Sequence, residues 1–296
     1  MNAWIAGARP RTLPAAVVPV LVGTAAAAGM NGDIDALKGL TIWRFIAALA
    51  VSLALQVGVN YANDYSDGVR GTDDDRVGPM RLTGSGTKSP GAVKRAAFLA
   101  FGFAAVCGLV LAIATSWWLI VVGVAAIAAA WFYTGGPRPY GYAGLGELFV
   151  FVFFGVVATT GSAFVQIERI TPLTLLVSIP VGLLATALLV VNNLRDIPGD
   201  TVAGKRTLAV RMGDGRTRVL YVVMMVAPFV AVPFLCGLSQ RPIGAMSLFA
   251  ILLVRKPVQR VIEGAQGPAL IAVLAETGRV QLGFGLLLSI GLFLGG

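Results

Sequence analysis

Apolar runs of about 17 to 22 residues, bounded by Gly, Pro or charge, recur along the whole chain, and each is long enough to cross a bilayer as a helix. They lie near residues 14–30, 42–63, 94–113, 117–133, 145–165, 172–193, 218–238, 242–258 and 278–294. So many runs leave little of the 296 residues for anything else. The expectation is one all-α integral membrane domain over residues 1–296, with nine transmembrane helices. Composition agrees: 12% of residues are charged and mean hydropathy is +0.82, whereas soluble domains carry about 25% charge. The eighth run stops at Arg255-Lys256-Pro257, and a separate apolar patch from Ala269 to Ala275 reads as a half-helix or a segment lying on the membrane. Arg9 and Arg11 follow a short amphipathic piece with no small-residue cleavage site, which predicts an uncleaved amino terminus. Both arginines read as topology signals or headgroup contacts.

Orientation follows from the basic residues. With the amino terminus inside, nineteen of the 23 Lys and Arg fall in cytoplasmic segments, and only Lys38, Arg44, Arg169 and Arg241 fall outside. That asymmetry predicts a multi-pass protein with its amino terminus and its two long loops, after the second and sixth helices, in the cytoplasm. The formal charge of +9 is scattered between apolar runs. It points to lipid headgroups and an anionic substrate rather than to nucleic acid. The chain has no histidine, which excludes Ser-His triads and His-ligated metals. Cys107 and Cys236 sit inside apolar runs and form no disulfide or zinc framework. Oligomeric state is not encoded in any of these patterns.

Two helix ends carry the chemistry. The second apolar run acquires Gln56, Asn60, Asn63, Asp64 and Asp67, at i, i+4, i+7, i+8 and i+11, followed by Gly71-Thr72-Asp73-Asp74-Asp75-Arg76. A helix projects such a set from one face. The sixth run ends in Asn192, Asn193, Arg195, Asp196 and Asp200, where Asn192, Asp196 and Asp200 are spaced one turn apart. Matching Asn63-x-x-x-Asp67 to Asn192-x-x-x-Asp196 suggests a duplicated four-helix unit, with the clusters facing each other across a central cavity. In that register Gly71 stands where a further carboxylate is expected and Asp73 comes two residues later. Facing carboxylates repel unless cations lie between them. Oxygen-only ligands select hard cations, and Mg²⁺ favours a few carboxylates plus substrate phosphates. A magnesium-bridged diphosphate is therefore expected, with Arg70, Arg76, Arg81, Arg195, Lys205 and Arg206 as nearby cations. Asp74 and Asp75 read as a solvated charge run. Glu147 reads equally as a functional group or an interfacial end residue, and Phe149, Phe151, Phe153 and Phe154 as lipid or helix packing.

The stretches Asn63-Asp64-Tyr65-Ser66-Asp67 through Asp73, Arg76-Val77-Gly78-Pro79-Met80-Arg81, Tyr133-Thr134-Gly135-Gly136-Pro137, Asp196-Ile197-Pro198-Gly199-Asp200 and Gly204-Lys205-Arg206-Thr207 resemble the UbiA-type intramembrane prenyltransferases. They are most similar to the menaquinone branch, in which the first cluster reads D-x-x-x-x-x-D, matched here by Asp67 and Asp73. The resemblance implies Mg²⁺ held by Asp67, Asp73, Asp196 and Asp200, with Asn63 and Asn192 or Asn193 in support. It further implies substrate contacts from Asn60, Asp64, Tyr133 and the cations above. The implied reaction transfers a polyprenyl group from its diphosphate to 1,4-dihydroxy-2-naphthoate, with decarboxylation, in a bacterial inner membrane. Other acceptors used by UbiA-type enzymes, among them 4-hydroxybenzoate, homogentisate, haem and a sugar phosphate, remain alternatives, as does a secondary transporter. One departure is that Tyr133 is followed by Arg138, not by a lysine four residues on.

Overall fold

The computed structural model describes residues 2–30, 39–72 and 80–296. Asp73, Asp74, Asp75 and Arg76 lie outside the described residues. Every regular element among those described is helical. A short α1 (Ala3–Gly7) and a 3₁₀ turn (Pro10–Thr12) lead into α2 (Pro14–Ala27). Next come α3 (Ile42–Val69), α4 (Pro90–Ala114) and α5 (Trp118–Phe132). The following crossing, Gly146–Ile167, is α6 (Gly146–Val150), a π-helical segment (Phe151–Val157) and α7 (Ala158–Ile167). Then follow α8 (Pro172–Val202), α9 (Leu208–Met212), α10 (Asp214–Leu238), a 3₁₀ stretch (Pro242–Ala250) leading into α11 (Ile251–Ile262), and α12 (Pro268–Leu294). Among the described residues six helices are long and apolar enough to span a membrane. A seventh crossing arises if Ala3–Thr12 and Pro14–Ala27, bent by 51°, count as one. The chain is a multi-pass membrane protein.

The two longest helices outrun the bilayer furthest. A hydrocarbon core needs about 20 residues of helix, whereas α3 has 28 and α8 has 31. Counted from Ile42 and Pro172, the surplus begins near Asn63 and Asn192. The apolar runs therefore stop there although the helices continue, and both polar clusters ride on helical extensions past the lipid. The central helix is α8. Its apolar window is 72% buried, against 28% for α3 and α4, and it packs on α2, α10, α12 and the π segment. The helices at the periphery turn Leu99, Trp118 and Leu252 outward, as lipid contact requires.

The patch at Ala269 to Ala275 is not a separate half-helix. It opens α12, which continues without a break through Glu276-Thr277-Gly278-Arg279. Those residues looked like a boundary because they are polar, but three of them are buried with partners. Glu276 meets Arg260 at 3.1 Å and Lys256 at 3.4 Å. Thr277 donates to the Val273 carbonyl and shares a 2.6 Å hydrogen bond with Tyr221. Gly278 lies against the Arg11 carbonyl.

Glycine sets the closest helix approach. A Cβ on Gly23 of α2 would stand 2.1 Å from the Thr159 carbonyl oxygen of α7, a backbone atom that cannot move aside. Gly23→Val is expected to cost about 1–3 kcal/mol by overpacking, measured as a lower unfolding temperature of the detergent-solubilised protein. The same change at Gly102, which has open space around it, should leave that temperature nearly unchanged.

Candidate active site

Both long helices end in the same way. Residue Gly71, at φ +68°, follows α3, its N–H bonding the Gly68 carbonyl while Thr72 N–H bonds that of Asp67. Gly204, at φ +71°, follows α8, its N–H bonding the Thr201 carbonyl while Lys205 N–H bonds that of Asp200. These are paired Schellman caps, which place glycine in the left-handed region because a side chain there is strained. The caps correct the repeat register. They match Asp67 to Asp200 and Gly71 to Gly204, so Gly71 is the cap residue and not a lost carboxylate.

The second cap turns the chain so that Lys205 reaches back between the helix ends. Its Nζ lies 3.1 Å from Asp67 Oδ1 and 3.9 Å from Asp200 Oδ1. One buried ammonium thus joins two clusters 133 positions apart in sequence. Tyr142, from the loop after α5, donates to the same Asp67 oxygen at 2.5 Å, and Lys205 and Arg70 both lie over its ring, at 4.8 and 5.4 Å. Burial, and then the charge of Asp67, push the Tyr142 phenol well above its ordinary value, so it keeps its proton and remains a donor. Arg81 approaches the other Asp67 oxygen at 3.9 Å. Arg195 holds both oxygens of Asp196, at 2.7 and 2.9 Å, and donates to Asn192 at 2.8 Å.

These groups close one end of a cavity of about 860 Å³. Asn60, Asn63, Asp67, Arg81, Tyr133, Asn192, Asn193, Asp196, Asp200 and Lys205 all line it. Most of the remaining wall is apolar, with α4, α5, α6 and the π segment among its contributors, and it includes Phe149, Phe153 and Phe154, which the sequence had placed in packing. Ile120, Val122 and Val124 of α5 line the cavity and are exposed.

Three of the expected contact residues stand elsewhere. Asp64 is fully buried and accepts from the backbone N–H groups of Leu82 at 2.7 Å and Thr83 at 2.8 Å. It anchors the loop before α4 and does not line the cavity. At 100° per residue it lies about 80° around the helix from Gln56, whereas Asn60, Asn63 and Asp67 stay within about 40°. Arg70 donates to the carbonyls of Thr134 and Gly136 and holds the loop of Tyr142 from outside. Arg206 is exposed, with its backbone N–H on the Tyr142 carbonyl.

Conversely, Arg9 and Arg11 line the cavity. Arg9 adopts φ +54°, an uncommon conformation for a residue with a side chain. The turn around it is pinned by the polar stripe of α3: Gln56 donates to Thr12 Oγ1 at 2.9 Å, Asn60 donates to the Ala8 carbonyl at 2.9 Å, and Thr12 donates to the Arg9 carbonyl. The strained φ was the missing signal, and it is invisible in sequence. Glu147 is buried and accepts from Asn193 at 2.9 Å, behind the cavity wall.

The donor chemistry suits a hard cation. Only carboxylate and amide oxygens are offered, without imidazole or thiolate. No three acidic groups converge as a ready metal site among the described residues, and Lys205 and Arg195 stand beside the oxygens of Asp67, Asp200 and Asp196. The family model for UbiA prenyltransferases matches residues 16–269. The chain belongs to the UbiA prenyltransferase family. A relative from Mycobacterium tuberculosis named 1,4-dihydroxy-2-naphthoate octaprenyltransferase is 49% identical over 94% of this chain and 92% of its own length. One of the same name from Escherichia coli is 36% identical over 99% and 96%. A solved UbiA homologue from Archaeoglobus fulgidus, bound to DMAPP and Mg²⁺, shares the fold at a TM-score of 0.63 and 15% identity, covering 99% of each chain.

Asp64→Asn leaves one of the two loop N–H groups facing an amide donor. A stability loss of about 1–3 kcal/mol is expected, read as a lower unfolding temperature with or without added divalent cation.

Proposed function

We propose that this chain transfers a polyprenyl group from polyprenyl diphosphate to 1,4-dihydroxy-2-naphthoate, with loss of CO₂, yielding demethylmenaquinone. The carrying observation is the joined pair of clusters: Asp67 and Asp200 share Lys205 at the charged end of a cavity whose remaining wall is mostly apolar. Relatives named for this reaction, at up to 49% identity, support the choice of acceptor. In this reading the protein is one domain of nine spans, built from a duplicated four-helix unit. It sits in a bacterial inner membrane with the amino terminus and both cluster-bearing loops in the cytoplasm, where pyrophosphate can leave into water.

The carboxylates of Asp67, Asp196 and Asp200, with Asp73 and with Asn63, Asn192 or Asn193 in support, are the residues for Mg²⁺. When bound, the ion supplies charge neutralisation for the diphosphate and for the leaving pyrophosphate. Lys205, Arg81 and Arg195 line the same end and bind the phosphate oxygens, a role the sequence resemblance extends to Arg76. Tyr142 keeps Asp67 oriented by donating to it. The apolar wall excludes water, so the allylic cation left after C–O cleavage meets the ring carbon of the acceptor. That carbon supplies the electron pair of the new C–C bond. Loss of CO₂ returns the bonding electrons to the ring. Arg9 and Arg11 line the same cavity and hold the acceptor's carboxylate.

Purified protein incubated with 1,4-dihydroxy-2-naphthoate and a ladder of prenyl diphosphates should give prenylated, decarboxylated product masses only with Mg²⁺. Asp67→Asn and Asp196→Asn should each remove most turnover while the protein stays folded; wild-type rates would overturn the assignment. A second outcome concerns Arg9. Arg9→Gly, which tolerates the left-handed backbone, should raise the KM for the naphthoate about tenfold or more, as expected for a lost charge-assisted hydrogen bond, with donor KM nearly unchanged.

A further inference from the structure

Glu147 is a buried carboxylate that no step of the proposed reaction uses. It lies in the first turn of the crossing Gly146–Ile167, does not line the cavity, and keeps its Oε2 buried without a hydrogen-bond partner among the described residues. An acidic side chain at such a place is costly and needs a reason. Its other oxygen supplies one. Glu147 Oε1 accepts from Asn193 Nδ2 at 2.9 Å, and Asn193 does line the cavity. With or without a proton on Oε2, Oε1 is an acceptor, so the amide meets it through Nδ2 and turns Oδ1 the other way. No donor among the described residues reaches Asn193 Oδ1, and that atom is not sealed from open space, so it faces the cavity. The neighbouring amides are committed differently. Asn63 Oδ1 accepts from the Thr134 hydroxyl at 2.9 Å, and Asn192 Oδ1 accepts from Arg195 at 2.8 Å. A tie between α6 and α8 would need only one donor and one acceptor. An acceptor-only partner adds what a tie does not require, a fixed choice of which end of the amide is presented.

We infer that Glu147 is a positioning residue: through Asn193 Nδ2 it holds the Asn193 carbonyl oxygen toward the cavity as a neutral ligand for the divalent ion that accompanies the diphosphate. The inference rests on the prenyl-transfer reading, and it selects Asn193 over Asn192 for that part. A neutral oxygen suits the position, because a carboxylate there would face Glu147 itself. Partners that stand behind a ligand fix its orientation, and losing one typically costs about ten- to a hundredfold in metal affinity.

The test titrates Mn²⁺ into the detergent-solubilised protein with inorganic pyrophosphate present, reads the bound ion by electron paramagnetic resonance, and follows the unfolding temperature without metal. Glu147→Leu removes the acceptor, and the Kd for Mn²⁺ should rise about tenfold or more. Asn193→Ala should raise it by a similar factor. Adding Glu147→Leu to Asn193→Ala should then change it by less than about twofold, because no amide remains to be oriented. Should Glu147→Leu fail to fold, Glu147→Gln keeps the shape and offers a donor beside the acceptor, which frees the amide to turn and should raise the Kd several-fold. Combining Glu147→Gln with Asn193→Asp moves the donor to position 147 and leaves an oxygen facing the cavity, and should restore the wild-type Kd. A wild-type Kd in Glu147→Leu or Glu147→Gln would overturn the inference. So would an equal effect of Glu147→Leu with and without Asn193→Ala, or a combined variant no better than Glu147→Gln. A wild-type protein that neither binds Mn²⁺ with pyrophosphate nor gives prenylated product would overturn the functional reading and the inference with it.

Discussion

An ammonium shared by two carboxylates holds the functional end of this protein together. Asp67 and Asp200 lie in the last turns of different helices, and Lys205 between them is buried. Uncompensated, two carboxylates at the edge of a low-dielectric cavity would repel each other, and leaving either charge buried without a partner typically costs about 3–5 kcal/mol. The contact therefore constrains several elements at once. Helices α3 and α8 must both overrun the membrane, both must end in a left-handed glycine, and the loop of Tyr142 must close over Asp67 from the side.

The same arrangement makes the charged end exchangeable. Among the described residues, each carboxylate lining the cavity, Asp67, Asp196 and Asp200, has a protein cation within 4 Å of an oxygen, and those cations are the residues suited to phosphate. A divalent ion and a diphosphate would find carboxylates for the metal and, in Lys205, Arg81 and Arg195, cations suited to phosphate at the same end of the cavity. Protein ion pairs thus hold the site in a form that its ligands can take over. The opposite end needs no such exchange, because its aliphatic and aromatic walls offer a prenyl chain surroundings like those it leaves in lipid.

Much of this was legible beforehand because membranes impose simple rules. The apolar runs, the carboxylates at two helix ends and the basic bias of one side are all local patterns, and local patterns survive without knowledge of packing. Where the reading drifted, a polar residue had found an internal partner. Glu276 and Thr277 resembled a helix boundary until Arg260 and Tyr221 proved to lie against them. Asp64 resembled a ligand because it sits one position from the productive face, but its partners are backbone N–H groups of a loop eighteen residues on.

The sequence by itself determined that the chain spans a membrane many times and that two carboxylate-bearing helix ends, of oxygen-only donor chemistry, form its centre. Residue type and periodicity suffice for both. Only the tertiary structure decided which carboxylates correspond, since the matching of Asp67 with Asp200 depends on cap geometry and not on the spacing of like residues. It alone placed Arg9 in the cavity wall, through a backbone conformation that the α3 stripe imposes from a distance, and it alone set Glu147 against Asn193. Contacts between residues far apart in the chain carry that information, and no periodicity encodes them.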